Sequence, residues 1–80
     1  MYVMAGCPYC VRAEALLRDK QVAQIDKIRV DLQPHKKAEM IQLTGRRTVP
    51  QIFIGDVHVG GCDDLYDLDE AGDLDSLLQG

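Results

Sequence analysis

Two cysteines, Cys7 and Cys10, stand where a short apolar run, Met1–Met4, gives way to a stretch of helical periodicity. From Pro8 to Lys20, Ala13, Leu16 and Leu17 recur at i, i+3 and i+4, while Arg12, Glu14 and Arg18 point elsewhere. Pro8 falls at the first helical position, where its missing N–H costs no hydrogen bond. The chain therefore reads strand, abrupt junction, helix, with Cys7 at the helix N-cap and Cys10 one turn further on. This junction constrains the fold most. The strand needs a sheet, and the helix must return along that sheet's face to bury its apolar stripe.

The rest of the chain supplies the sheet. Ile28 and Val30 alternate within Ile25–Asp31, which reads as a second strand. Pro34 opens a second helix carrying Ala38, Met40, Ile41 and Leu43, and Gly45 ends it. Gln51–Ile54 and Val57–Val59 are short β-rich runs separated by Gly55-Asp56, a two-residue hairpin loop. Cys62–Ala71 is helical through Leu65, Tyr66 and Leu68, and Leu74, Leu77 and Leu78 form a final apolar stripe, a last helical turn. The order is β-α-β-α-β-β-α. A strand, helix and strand at the start imply a parallel pair joined by a right-handed crossover, and the hairpin adds antiparallel strands. This predicts an α/β, thioredoxin-like layout in one domain, residues 1–80.

An apolar fraction of 46% and a charged fraction of 28% argue against disorder. Charge is unevenly spread: residues 1–50 hold all nine Lys and Arg against five acids, while residues 51–80 hold eight acids and no Lys or Arg. The net charge of −4 disfavours phosphate backbones, and three Tyr, one Phe and no Trp leave few platforms on which bases could stack. The basic half can still steer a small anion toward one face. No apolar stretch approaches the roughly 20 residues that span a bilayer, and no signal-peptide pattern precedes Cys7. The expectation is a cytoplasmic monomer with neither nucleic acid nor membrane as partner.

Three cysteines are too few, and odd in number, for a secreted disulfide framework. In a reducing compartment, a Cys-x-x-Cys between a strand and a helix is a redox site. Free N–H groups at a helix start carry partial positive charge and hydrogen-bond a sulfur anion at the cap. They are expected to hold Cys7 as the thiolate, the form that attacks a disulfide. Cys10, enclosed by the helix, keeps a higher pKa and serves as the resolving sulfur. The alternative, half of a zinc site, lacks a second ligand pair, because Cys62, His35 and His58 are isolated in sequence. No metal is therefore expected.

Two further motifs follow in order: Thr48-Val49-Pro50, and Gly60-Gly61-Cys62-Asp63-Asp64. Together with Cys7-Pro8-Tyr9-Cys10 they resemble the dithiol (class I) glutaredoxins, of the bacterial glutaredoxin-3 type, over about Tyr2 to Leu78. The resemblance implies a thioredoxin fold with a four-stranded mixed β-sheet flanked by helices, a cis Val49–Pro50 bond, and a glutathione groove beside the first helix. It implies that Val49 offers its backbone N–H and C=O to the glutathione cysteinyl unit, with Thr48 and Pro50 shaping the wall next to Cys7. Gly60-Gly61 would let the chain pass close to the ligand. N–H groups near Cys62 suit a γ-glutamyl carboxylate, Asp63 and Asp64 its ammonium, and Tyr9 a groove wall. The resemblance implies that Cys62 contributes mainly its backbone.

Two departures from the family stand out. Its members usually carry Lys three residues before the first cysteine, where this chain has Met4. Lys36, Lys37, Arg46 and Arg47 are the candidate replacements. The family's first strand also begins earlier, so here it is either short or preceded by residues outside this numbering. By resemblance, the expected activity is glutathione-dependent thiol–disulfide exchange on glutathionylated or disulfide-containing proteins. Cys7 and Cys10 are catalytic, glutathione is the co-substrate, and no cofactor is permanently bound. A second reading, an iron–sulfur cluster shared between two protomers, is disfavoured in the family by proline after the first cysteine.

Overall fold

In a computed structural model that describes residues 1–79, the first strand, β1 (Tyr2–Val3), lies between two neighbours. On one side it runs parallel to β2 (Ile28–Arg29), with Tyr2 opposite Ile28 and Val3 opposite Arg29. On the other side Tyr2 and Gln51 exchange both backbone hydrogen bonds, at 2.9 and 3.2 Å, as an antiparallel bridge. Gln51 leads into β3 (Ile52–Ile54), which pairs antiparallel with β4 (Val57–Gly60) across the Gly55-Asp56 turn. The mixed sheet thus runs β2-β1-β3-β4. It consists of two short ladders joined by the single Tyr2–Gln51 bridge rather than one continuous ladder.

Among the described residues four helices cover this sheet: α1 (Pro8–Asp19), α2 (Pro34–Thr44), α3 (Cys62–Glu70) and α4 (Leu74–Gln79). The expected helices all form, and the last apolar stripe is a six-residue helix rather than a single turn. The second strand is shorter than Ile25–Asp31, although Ile28 and Val30 still donate to Met1 and Val3 carbonyls. Side-chain alternation along β3 sorts the layers. Ile52 packs with Ala13, Leu16 and Leu17 of α1, Cys62 and Leu65 of α3, and Leu74 of α4. Phe53, pointing the other way, joins Tyr2, Val30 and Met40 beneath α2. Each fully buried aliphatic side chain in these clusters contributes about 1.5–3 kcal/mol.

The helix ends place the loops that matter. Gly45, at φ 70°, caps α2 in the left-handed conformation and donates to the Ile41 carbonyl. α1 ends differently. Gln21 sits at φ 65° and donates to Arg18, while Val22 donates to Leu17, a full Schellman motif with glutamine where glycine is usual. Among the described residues no helix is long and apolar enough to cross a membrane.

Candidate active site

Cys7 is the N-cap of α1, with extended backbone (φ −100°, ψ 104°) and Pro8 beginning the helix. Its Sγ accepts the backbone N–H of Cys10 at 3.2 Å, and as a thiol it donates to the Val49 carbonyl at 3.8 Å. Cys7 is half-buried, whereas Cys10 and Cys62 are buried, and all three are free thiols. Burial, then the hydrogen bond with Cys7, pushes the Cys10 thiol well above its ordinary value, the Met4 backbone opposing. Burial also pushes Cys62 up, with the Arg12 charge opposing. A half-buried sulfur thus stands at a helix start, and behind it lies a buried one held protonated. Bonds from N–H donors to a sulfur anion are stronger than those to a thiol.

The Thr48-Val49-Pro50 segment lies against this sulfur, and the Val49–Pro50 peptide is cis, as the resemblance implied. Pro50 is buried, Val49 half-buried and Thr48 exposed. Gly61 belongs to the same wall, since a Cβ on it would come within 3.5 Å of the Pro50 carbonyl oxygen. Gly60 lies at φ 116°, a backbone conformation that a side chain resists. A Cβ there would run into the Asp64 carboxylate, so the close approach is internal.

The two aspartates separate. Asp64 accepts the Gly61 N–H at 2.8 Å, half of a capping box, and pairs with Arg46 at 2.8 Å. Arg46 first, and then Gly61, holds its carboxyl below the usual range. Asp63 is exposed and, among the described residues, in no ion pair. Arg46 is thus occupied, and so is Lys36, which pairs with Glu39. Lys37 and Arg47 remain, and both line a cavity of 290 Å³ with Met4, Asp31 and Val49. Asp31 is neutralised there by two Arg29 hydrogen bonds at 2.6 and 2.7 Å, which hold its carboxyl far below the usual range.

Tyr9 is exposed beside Cys7, and its partner went unread in the sequence. The Arg12 guanidinium lies 5.8 Å from the ring centre of Tyr9 and 5.5 Å from that of Tyr66, so Tyr9 is tied to α3. The i, i+3 spacing of Tyr9 and Arg12 signalled half of this contact. A second contact missed in sequence is that of Gln51, whose buried amide reaches Thr48 and His58.

The glutaredoxin family model matches residues 1–59. A glutaredoxin of Neisseria meningitidis (serogroup A) is 56% identical over 78 residues, spanning 98% of this chain and 92% of that protein. Glutaredoxin 3 of Escherichia coli K12 is 52% identical over 79 residues, spanning 99% and 94%. The crystal structure of a buckwheat glutaredoxin–glutathione complex superposes with a TM-score of 0.88 at 33% identity, covering 98% of this chain and 73% of that one. With a dithiol Cys7–Cys10 pair at the head of α1, on this sheet and beside this cis-proline loop, the chain belongs to the glutaredoxin family of glutathione-dependent oxidoreductases.

Proposed function

We propose that the protein reduces protein–glutathione mixed disulfides and protein disulfides, with glutathione as co-substrate and no bound metal or prosthetic group. The observation that carries this reading is the sulfur pair: an accessible Cys7 capped by the Cys10 N–H, with the Cys10 thiol buried behind it. In the monothiol route the Cys7 thiolate attacks the glutathione sulfur of a mixed disulfide. A Cys7–glutathione disulfide forms and the protein thiol leaves, taking a proton from solvent. A second glutathione thiolate then attacks the bound glutathione sulfur, releasing glutathione disulfide and restoring the Cys7 thiolate. In the dithiol route Cys7 forms a mixed disulfide with one sulfur of a protein disulfide. Cys10 attacks Cys7, the second substrate thiol leaves, and two glutathiones later reduce the Cys7–Cys10 bond.

Glutathione fits the slot by its chemistry. The Val49 backbone meets its cysteinyl unit, Thr48, Pro50 and Tyr9 wall the groove, and the N–H groups around Gly61 and Cys62 take a carboxylate at the start of α3. Asp63 is the carboxylate free for the ammonium group, since Asp64 already holds Arg46. Lys37 and Arg47 stand where Met4 leaves the site without a cation. The protein works as a monomer in the cytoplasm, where glutathione is kept reduced. The test is turnover of a glutathionylated peptide with glutathione and glutathione reductase. Cys7→Ser abolishes it and Cys10→Ser retains much of it; equal loss in both variants contradicts the monothiol step.

A further inference from the structure

Gln51 is 0% exposed, the one buried polar side chain among the described residues. Its Nε2 donates to the Thr48 carbonyl at 3.0 Å and lies 3.3 Å from Thr48 Oγ1, while its Oε1 meets His58 Nε2 at 2.9 Å. The Thr48 carbonyl only accepts, so the amide NH₂ must face it and the amide oxygen must face β4. An amide oxygen also only accepts, which requires a proton on His58 Nε2. His58 cannot turn freely to escape this. Its ring lies against Phe53, centroids 5.0 Å apart with 32° between planes, across the β3–β4 pairing.

The loop these contacts reach is otherwise loosely tied. Among the described residues no backbone–backbone hydrogen bond involves Arg47, Thr48 or Val49. The Gln51 amide is what closes the turn from Thr48 to Gln51, and Val49, inside that turn, has its carbonyl 3.8 Å from the Cys7 sulfur. An unmade bond here would be expensive, because a buried amide oxygen without a donor keeps its full desolvation cost. The amide would then turn or withdraw, and the Thr48 carbonyl with it.

We propose that His58 and Gln51 are positioning residues for the glutathione slot. The His58 Nε2–H orients the Gln51 amide, which anchors the Thr48 carbonyl and so sets the Val49 backbone beside Cys7. Neither residue touches a reacting sulfur. The inference rests on the reading above that the Val49 backbone meets glutathione. It differs from a packing role in what it predicts: loosening the link weakens substrate binding while the chemistry at Cys7 continues.

The test uses His58→Phe, which keeps a ring to stack on Phe53 but removes the N–H, and His58→Gln, which restores a donor. In the glutathione-coupled assay with a glutathionylated peptide, His58→Phe raises KM about three- to tenfold, the loss of one hydrogen bond, with kcat within about twofold. His58→Gln recovers most of that. An unchanged KM in His58→Phe, or a recovery no better than Phe, overturns the proposal. Independently, nitrogen-15 NMR of the wild type finds the neutral His58 ring protonated on Nε2; a proton on Nδ1 overturns the link. A wild type without glutathione-coupled turnover counts against the functional reading alone, and the His58 tautomer then decides the His58–Gln51 link.

Discussion

The backbone N–H of Cys10 lies 3.2 Å from the Cys7 sulfur, so one turn of one helix holds a half-buried sulfur at its cap and a buried sulfur behind it. Burial, and then the hydrogen bond with Cys7, sets the Cys10 thiol apart from its neighbour. Alkylation reads this directly: iodoacetamide at pH 7 is expected to give a single adduct, on Cys7, by peptide mass mapping. Cys10 and Cys62, whose thiols burial pushes up, should react only in alkali or after unfolding. Equal labelling of Cys10 at neutral pH would contradict the assignment.

The Arg46–Asp64 pair links the loop after α2 to the start of α3. Asp64 has its carboxyl lowered in the fold, so its contribution is present above the ordinary carboxylate value and lost as pH falls through the lower folded one. Asp31, lowered by Arg29, and Glu39, lowered by Tyr2 and Lys36, act in the same direction. Denaturant melts should therefore show stability falling on acidification below about pH 4. Asp64→Ala should remove about 1 kcal/mol at pH 7 as a lost helix cap, and it should flatten that acid slope.

Tyr2 gives the opposite limb. Burial, and then its 2.7 Å hydrogen bond to Glu39, pushes its phenol up to about 12. A group whose folded value is raised stabilises below its unfolded value, about 10, and loses that contribution as pH rises through the folded one. Stability should decline between about pH 10 and 12. Tyr2→Phe should cost about 1 kcal/mol at pH 7 and should blunt this decline, measured by the same melts.

Gln21, at φ 65°, holds a left-handed position that a side chain resists. Gln21→Gly is expected to stabilise the fold by about 0.5–1 kcal/mol, with turnover unchanged, because it relieves the end of α1 far from the sulfur. A loss of stability would mean that the side chain makes a compensating contact.

Lys37 and Arg47 share the cavity beside Met4 and Val49, and neither is in an ion pair among the described residues. Lys37→Ala and Arg47→Ala should each raise KM for a glutathionylated peptide several-fold, more at low salt than at high salt, while leaving the melting midpoint nearly unchanged. A uniform loss of kcat with constant KM would place these cations elsewhere in the cycle.

Much of this protein is written locally. Pro8 at the helix start, the Ala13–Leu16–Leu17 stripe, Gly45 after Thr44 and the Gly55-Asp56 turn act within one or two turns of chain, and each forms where the pattern put it. The reactive pair is local too, because an N-cap and the residue three further on are neighbours in any helix. Other features depend on what the fold brings from a distance. Arg46 reaches Asp64 across 18 positions, Tyr2 reaches Glu39 across 37, and the β1–β3 contact shrinks to one bridge beside a proline. The contacts of Gly60 and Gln51 with Asp64, Thr48 and His58 are of the same kind. A missing side chain next to Asp64, or an amide buried beneath Thr48, has no sequence period to announce it. Short-range hydrogen bonds and periodicity set which elements form and which sulfur heads a helix; only packing those elements decided which charges, among the described residues, were spent on each other and which were left without an ion-pair partner.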